Sequence, residues 1–176
     1  MISHLPRNIE LKARLTDPAA ARVIAERLCG PPAAVLRQID TYFPCVHGRL
    51  KLREIEGFAA ELIWYDRPDD AEAKGSDYLI ASVADATILR QTLARALGVR
   101  GVVAKTRRLY LYRNVRIHLD DVDRAGSFLE FEAVLSDQFD DLAGQHQIND
   151  LRREFGIAAA DLLAGSYGDM LATPSA

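Results

Sequence analysis

The sequence predicts an α+β fold of about eight antiparallel strands with helices at the start, middle and end of the chain. Polar and apolar residues alternate in Asn8-Ile9-Glu10-Leu11-Lys12-Ala13-Arg14, Arg49-Leu50-Lys51-Leu52-Arg53, Arg116-Ile117-His118-Leu119-Asp120 and Leu129-Glu130-Phe131-Glu132. A strand sends successive side chains to opposite faces, so each run has one apolar and one charged face. The strand-like runs follow one another through short turns such as the one at Gly57, in hairpin order.

Taken in order, residues 8 to 16 read as a strand, followed by Asp17-Pro18, an N-cap and a proline at the first helical position. That helix runs to about Leu28 and stops before Gly30-Pro31-Pro32. Strands follow at Gln38 to Phe43, Arg49 to Ile55, Phe58 to Arg67 and Asp77 to Ser82, with the acidic stretch Pro68 to Glu72 as a loop. Ala84 to Leu97 reads as a second helix, with Asp85 or Ser82 near its cap and Gly98 at its end. Three more strands lie at Gly101 to Leu111, Val115 to Asp121 and Phe128 to Leu135, and Asp137 to about Met170 reads as mostly helical, interrupted at Gly156 and Gly165.

The 176 residues are expected to form one domain, 1–176, and a hydrophobic fraction of 49% can supply its core. A net charge of -3 offers no bulk positive field for nucleic acid. Cys29 and Cys45 suggest neither a disulfide framework nor zinc, and Cys45-Val46-His47 offers too few ligands for a soft metal. With no secretion-type leader pattern and no long apolar run, a cytoplasmic protein without membrane contact is expected.

Ile9, Leu11, Leu15, Leu50, Leu52, Ile117, Leu119, Leu129 and Phe131 share the apolar faces and are expected beneath the helices, as is Trp64. The charged faces carry Asn8, Glu10, Lys12, Arg14, Arg49, Lys51, Arg53, Arg116, His118, Asp120, Glu130 and Glu132; Lys105, Arg107 and Arg113 are in phase with one another. Two architectures fit this pattern. An open antiparallel sheet with one wet face gives the same alternation, and eight strands can also close into a small barrel with the charge inside. The charges come in like-signed blocks, basic along Arg49, Lys51 and Arg53 and acidic at Glu130 and Glu132. Such blocks repel unless something of opposite sign lies between them. A phosphate chain would answer the basic block and a divalent cation the carboxylates. His118 reads as a hydrogen-bonded residue on a polar face, with general acid–base work as the alternative.

At these residues the chain resembles the CYTH, or triphosphate tunnel metalloenzyme, family. The resemblance is carried by Asn8-Ile9-Glu10-Leu11-Lys12 (for Glu-x-Glu-x-Lys), Asp40-Thr41-Tyr42-Phe43, Gly48 to Arg53, Leu119 to Val122, Gly126 to Glu132, and Ser166 to Leu171. It spans Ile9 to Leu171 and is closest to the class IV adenylate cyclase branch. It implies a closed eight-stranded antiparallel barrel with flanking helices and a metal-dependent enzyme for a small-molecule triphosphate, ATP or tripolyphosphate. It also allows a homodimer, to which no surface patch can be assigned. Asn8 departs from the motif by replacing its first glutamate with a neutral amide.

Under that resemblance Lys12, Arg49, Lys51, Arg53, Lys105, Arg107 and Arg113 are the triphosphate-binding candidates. Arginine offers a forked donor to phosphate oxygens and lysine a point charge. Glu10, Glu130, Glu132 and Asp120 are the candidate ligands of Mg2+ or Mn2+, hard cations that take oxygen donors. Glu10, Lys12, Arg53 and Asp120 form the candidate catalytic set. The reaction is expected to be ATP to cyclic AMP and pyrophosphate, with triphosphate hydrolysis or binding without turnover as alternatives.

Overall fold

In the computed structural model, which describes residues 5–171, the chain runs through β1 (Arg7–Arg14), α1 (Pro18–Cys29), β2 (Ala34–Phe43), β3 (Arg49–Ile55), β4 (Ala60–Asp66) and β5 (Lys74–Val83). It continues through α2 (Ala86–Leu97), β6 (Gly101–Tyr112), β7 (Val115–Val122), β8 (Gly126–Val134), α3 (Asp141–Glu154), a short 3-10 turn at Ala159–Asp161, and α4 (Tyr167–Leu171). Every strand pair is antiparallel, and the order β1-β5-β4-β3-β2-β6-β7-β8 closes on itself. The seam is β1, which pairs with β5 through Arg7 to Glu10 and with β8 through Asn8 to Arg14. The barrel is therefore closed, which excludes the open wet-faced sheet.

The helices begin where the sequence provides caps. Asp17, Asp85 and Asp140 each accept a hydrogen bond from a backbone N–H in the first turn, from Ala20 at 2.9 Å, Ile88 at 2.9 Å and Ala143 at 2.8 Å. Apolar strand faces point outward, and the helices cover them. Ile9, Leu11, Ile117, Leu119, Leu129 and Phe131 form one cluster with Ala21 and Ala25 of α1 and Ile148 and Leu151 of α3. Phe43, Leu52 and Ala60 form another against Leu89 and Leu93 of α2. With the apolar faces taken up by helices, the charged faces turn into the lumen.

Three expectations are corrected. Two strands start earlier than alternation suggests: β2 at Ala34 and β5 at Lys74. Pairing of Lys74, Gly75 and Ser76 with Glu10, Ile9 and Asn8 holds the start of β5, a tertiary cause that periodicity does not report. The C-terminal helix breaks at Gly156 as expected, but the segment beyond it is less helical than expected. Residues 157–166 are irregular apart from the 3-10 turn, and Leu163 donates its N–H to the Lys12 carbonyl at 2.9 Å, tying the segment to β1. Trp64 lies over the β2–β3 link, not beneath a helix, and its Nε1 donates to the His47 carbonyl at 3.0 Å. Gly48, at φ +66°, turns that link, where a Cβ would come within 2.6 Å of the Tyr65 carbonyl oxygen. Among the described residues no helix is long and apolar enough to cross a membrane.

Candidate functional site: a carboxylate-braced tunnel

Register alone brings the charged residues together. In the lumen Asp40 pairs with Arg53 across β2–β3, Arg107 with Asp120 across β6–β7, Lys12 with Glu130 and Glu10 with Glu132 across β1–β8. They surround a cavity of about 120 Å3 bordered by Asn8, Glu10, Lys12, Tyr42, Lys51, Arg53, Tyr65, Arg67, Lys105, Arg107, Arg116, Glu130, Glu132 and Tyr167.

Two fully buried aspartates hold the basic groups in place. Arg53 grips Asp40 bidentately, Nε to Oδ1 at 2.7 Å and Nη2 to Oδ2 at 2.9 Å, while Lys51 donates to Oδ2 at 3.2 Å. Arg107 grips Asp120 the same way, at 2.7 and 2.6 Å, and Tyr167 donates its hydroxyl to Asp120 Oδ2 at 3.0 Å. Lys105 lies between the two, its Nζ 3.3 Å from Asp120 and 3.9 Å from Asp40. Burial alone would raise the carboxyl of Asp40; Arg53, Lys51 and Lys105 outweigh it and hold Asp40 well below the usual carboxylate range. Asp120 is held below that range too, by Arg107 and Lys105 against the same burial. Burial first, and then the neighbouring Arg107, push Lys105 down to about 7; burial and Arg53 push Lys51 down to about 8.

The acidic side lies on β1, β7 and β8. Lys12 approaches Glu130 at 2.9 Å and Arg107 donates to it at 2.7 Å. Against burial these cations and His118 hold Glu130 well below the carboxylate range. Glu10 is paired with Arg67 at 2.7 Å, yet burial and the nearby Glu130 raise its carboxyl. Nδ1 of His118 lies 3.4 Å from Glu130 and 3.8 Å from Glu132, and one ligand atom from each of the three falls within 4.8 Å of the others. Burial, then Arg107, lower the imidazole's pKa. Oδ1 of Asn8 is buried in the same lumen with no hydrogen-bond partner. A neutral imidazole, carboxylates at donor spacing and an unpartnered amide oxygen fit a divalent cation.

One end of the barrel is capped and the other is open. Tyr42, Val103, Val122, Phe128 and Tyr167 cluster at the capped end. There the Tyr167 ring lies 5.0 Å from Phe128 and covers the ammonium of Lys12 at 3.7 Å. Gly168 lets α4 sit this close, since a Cβ there would come within 2.8 Å of the Tyr42 ring. At the open end, where β1 begins and β8 ends, Ile63 pairs with Ile80, and both border the cavity. Leu36, Leu109 and Leu111 share the lumen face there, being paired in register with Arg107, His118 and Arg116.

Of the residues singled out from sequence, Glu10, Lys12, Lys51, Arg53, Lys105, Arg107, Glu130 and Glu132 meet at this cavity. Three are placed otherwise than expected. Arg113 is exposed in the β6–β7 turn, at φ 55°, with its guanidinium over Tyr112; a turn of two residues takes it out of the lumen phase. Asp120 faces inward, but does not border the cavity; both its oxygens are engaged by Arg107, Lys105 and Tyr167, so in this structure it braces cations. Arg49 does not border the cavity; Asp69 at 2.5 Å and Asp169 at 3.2 Å hold it at the capped end. The sequence gives no sign of the bracing role of Asp40, which appears there only within a motif, nor of the buried partner that Arg67 finds in Glu10. Arg67 shares the parity of Ile63 and Tyr65, which was its available signal.

A closed antiparallel barrel with helices outside and paired charges within defines a tunnel-type fold. The chain belongs to the CYTH domain family, whose model matches residues 6–167. Among solved structures it is similar to the PH1012 protein of Pyrococcus horikoshii OT3, with 26% identity and a TM-score of 0.82 over 93% of this chain and 99% of that one. It is also similar to a proposed adenylate cyclase of Vibrio parahaemolyticus, with 19% identity and a TM-score of 0.71 over 96% and 98% of the two chains. A third is HpAC1 of Hippeastrum, a proposed adenylyl cyclase described as having a dominant triphosphatase activity, with 15% identity and a TM-score of 0.65 over 95% and 98%. No curated protein matches the chain significantly.

Proposed function

We propose that the protein is a metal-dependent phosphoryl-transfer enzyme acting on a triphosphate, with conversion of ATP to cyclic AMP and pyrophosphate as its leading reaction. The observation that carries this reading is the facing of two charge sets in one lumen: cations braced by Asp40 and Asp120, and a His118–Glu130–Glu132 set beside Glu10. Phosphoryl transfer needs positioning and charge neutralisation more than covalent help from the protein. Lys12, Lys51, Arg53, Lys105 and Arg107 are pre-placed to receive phosphate oxygens. A bound Mg2+ or Mn2+ supplies Lewis-acid polarisation of the phosphoryl group. In the cyclase reaction the ribose 3′-hydroxyl attacks the α-phosphorus and pyrophosphate leaves.

The open end favours an organic triphosphate over inorganic tripolyphosphate. Ile63 and Ile80 on one side, and Leu36, Leu109 and Leu111 on the other, give an apolar rim suited to a nucleoside, with the phosphates deeper among the cations. Incubation of the purified protein with ATP and Mg2+ or Mn2+ at mildly alkaline pH tests the reading. Cyclic AMP supports it; orthophosphate from ATP or tripolyphosphate, with no cyclic nucleotide, moves the assignment to a triphosphatase. Absence of any product with tight triphosphate binding leaves a binder, a reading that the neutral Asn8 favours. Asn8→Glu is then decisive, because gain of metal-dependent turnover identifies the amide as the silencing change.

The depressed lysines give a pH dependence with a fixed sign. A phosphate chain stabilises the ammonium form, so binding raises the pKa of Lys105 above about 7 and of Lys51 above about 8. Binding near pH 8 is expected to take up protons, and this lysine contribution to affinity falls as pH rises through that range. Calorimetry of tripolyphosphate binding in buffers of different ionisation enthalpy reads the uptake directly. Lys105→Met should reduce it, and equal uptake in the variant would contradict the assignment.

A further inference from the structure

The carboxylates of the lumen are not equally free. Glu10 is engaged by Arg67, and Glu130 by Lys12 and Arg107, whereas among the described residues the one guanidinium or ammonium near Glu132 is that of Arg116, at 3.7 Å. On the β7–β8 side His118, 4% exposed, turns Nδ1 towards both Glu130 and Glu132. Asn8, 6% exposed, leaves Oδ1 unpartnered in the same lumen, two residues before Glu10, which is itself paired in register with Glu132. Nitrogen and oxygen donors bind a divalent ion at about 2.0 to 2.2 Å, which puts neighbouring donors about 3 Å apart. The separations of 3.4 and 3.8 Å are within a small side-chain movement of that spacing.

We propose that the cation position of this tunnel is centred on the β7–β8 side, with Nδ1 of His118 as a nitrogen ligand beside Glu130 and Glu132, and that it selects a first-row transition-metal dication over Mg2+. The proposal rests on the metal-dependent reading above and sharpens its choice of metal. Mg2+ takes oxygen donors in a strict octahedron and keeps its waters. Imidazole suits Fe, Ni, Cu and Zn above all, and Mn2+, the lowest of the first-row series, is the least favourable case of that preference. A nitrogen bond that favours Mn2+ over Mg2+ is therefore the strictest sign of it, and such bonds offset the presence of Lys12 and Arg107 near Glu130. Asn8 contributes an uncharged oxygen to the same lumen, so selectivity comes from donor type more than from total negative charge.

Mn2+ alone is the probe, added to the full chain without nucleotide. Calorimetry should show Mn2+ binding about ten-fold tighter than Mg2+. Pulsed electron paramagnetic resonance of the Mn2+ complex should show coupling to a nitrogen-14 nucleus, lost in His118→Gln. Glu132→Gln should lower Mn2+ affinity about ten-fold while keeping the nitrogen coupling, and circular dichroism verifies the fold of both variants. Mn2+ bound without nitrogen coupling, coupling that survives in His118→Gln, or equal affinity for Mn2+ and Mg2+ would each overturn the proposal. If His118→Gln does not fold, the wild-type spectrum and the Glu132→Gln affinity still decide. Tripolyphosphate binding measured without metal tests the triphosphate reading separately, so failure of one is distinguishable from failure of the other.

Discussion

Asp40→Ala is expected to destabilise the protein by about 3 to 5 kcal/mol, the cost of stripping one partner from a buried ion pair. The Asp40 side chain is wholly buried and engages Arg53, Lys51 and Lys105 at once, so its loss strips the carboxylate from Arg53 and Lys51 and leaves Lys105 with Asp120 alone. Denaturant unfolding near neutral pH measures the loss. The same variant should gain more thermal stability from tripolyphosphate than the wild type does, because the anion replaces the missing carboxylate among the same cations. If Asp40 were only a surface-type partner, the cost would stay below about 1 kcal/mol, with no differential rescue. The sign with pH follows from the same geometry. Asp40 and Asp120 are held below the ordinary carboxylate range, so their stabilisation is complete above the unfolded-state value of about 4 and is lost as pH falls through the folded-state values. Asp40→Ala should therefore show a shallower loss of stability in acid.

The like-charged blocks have a different explanation from the one their sequence suggests. As a sequence, the block Arg49, Lys51 and Arg53 on β3 calls for an external anion, and Lys105 and Arg107 on β6 form a second basic pair. The structure places a buried aspartate beside each of the two inner groups, Asp40 on β2 and Asp120 on β7. Cross-strand register supplies these partners, and register depends on pairings far apart in sequence. Alternation did identify the lumen set, because period two assigns side chains to faces whatever the strand order. It could not say which face was inside. That depends on closure of β1 between β5 and β8, and on helices α1, α2 and α3 covering the outside. Arg113 shows the limit of phase counting, since a two-residue turn at the end of β6 breaks the phase. Arg67 lies beyond the last residue of β4, so the buried partner Glu10 could be found only from the β1–β5–β4 arrangement.

This division between bracing and working residues makes some substitutions uninformative about catalysis. Glu130 joins Lys12, Arg107 and His118, so Glu130→Ala removes a ligand candidate and also releases two cations. Asp120→Ala likewise frees Arg107, Lys105 and Tyr167 together. Loss of activity in either would mix collapse of the proposed phosphate clamp with loss of the proposed chemistry. Glu132, half-buried and held only loosely by Arg116, reports more cleanly on the cation.

Lys12→Met is the substitution expected to lower turnover most for the least structural disturbance, by about 100- to 1,000-fold in kcat/KM, the range for removing one preorganised group that stabilises developing negative charge. Lys12 borders the cavity, with its ammonium 3.7 Å from the centre of the Tyr167 ring and 2.9 Å from Glu130. Methionine keeps an unbranched stem against Tyr167 and removes only the charge. Glu130 is not stranded, because Arg107 and His118 remain beside it. The fold should survive, as circular dichroism and the melting temperature will show. Lys12→Arg should not restore the rate, since a planar forked guanidinium does not place its donors where the compact ammonium does. Arg14 provides the internal control. It has the same phase on the same strand but is exposed, donating to the Ala125 carbonyl at 3.1 Å, so Arg14→Met should leave turnover within about two-fold. Equal rates for wild type and Lys12→Met would remove Lys12 from the phosphate clamp. Equal losses for Lys12→Met and Arg14→Met would mean that charge on β1 acts through the general field of the barrel and not by contact with the substrate.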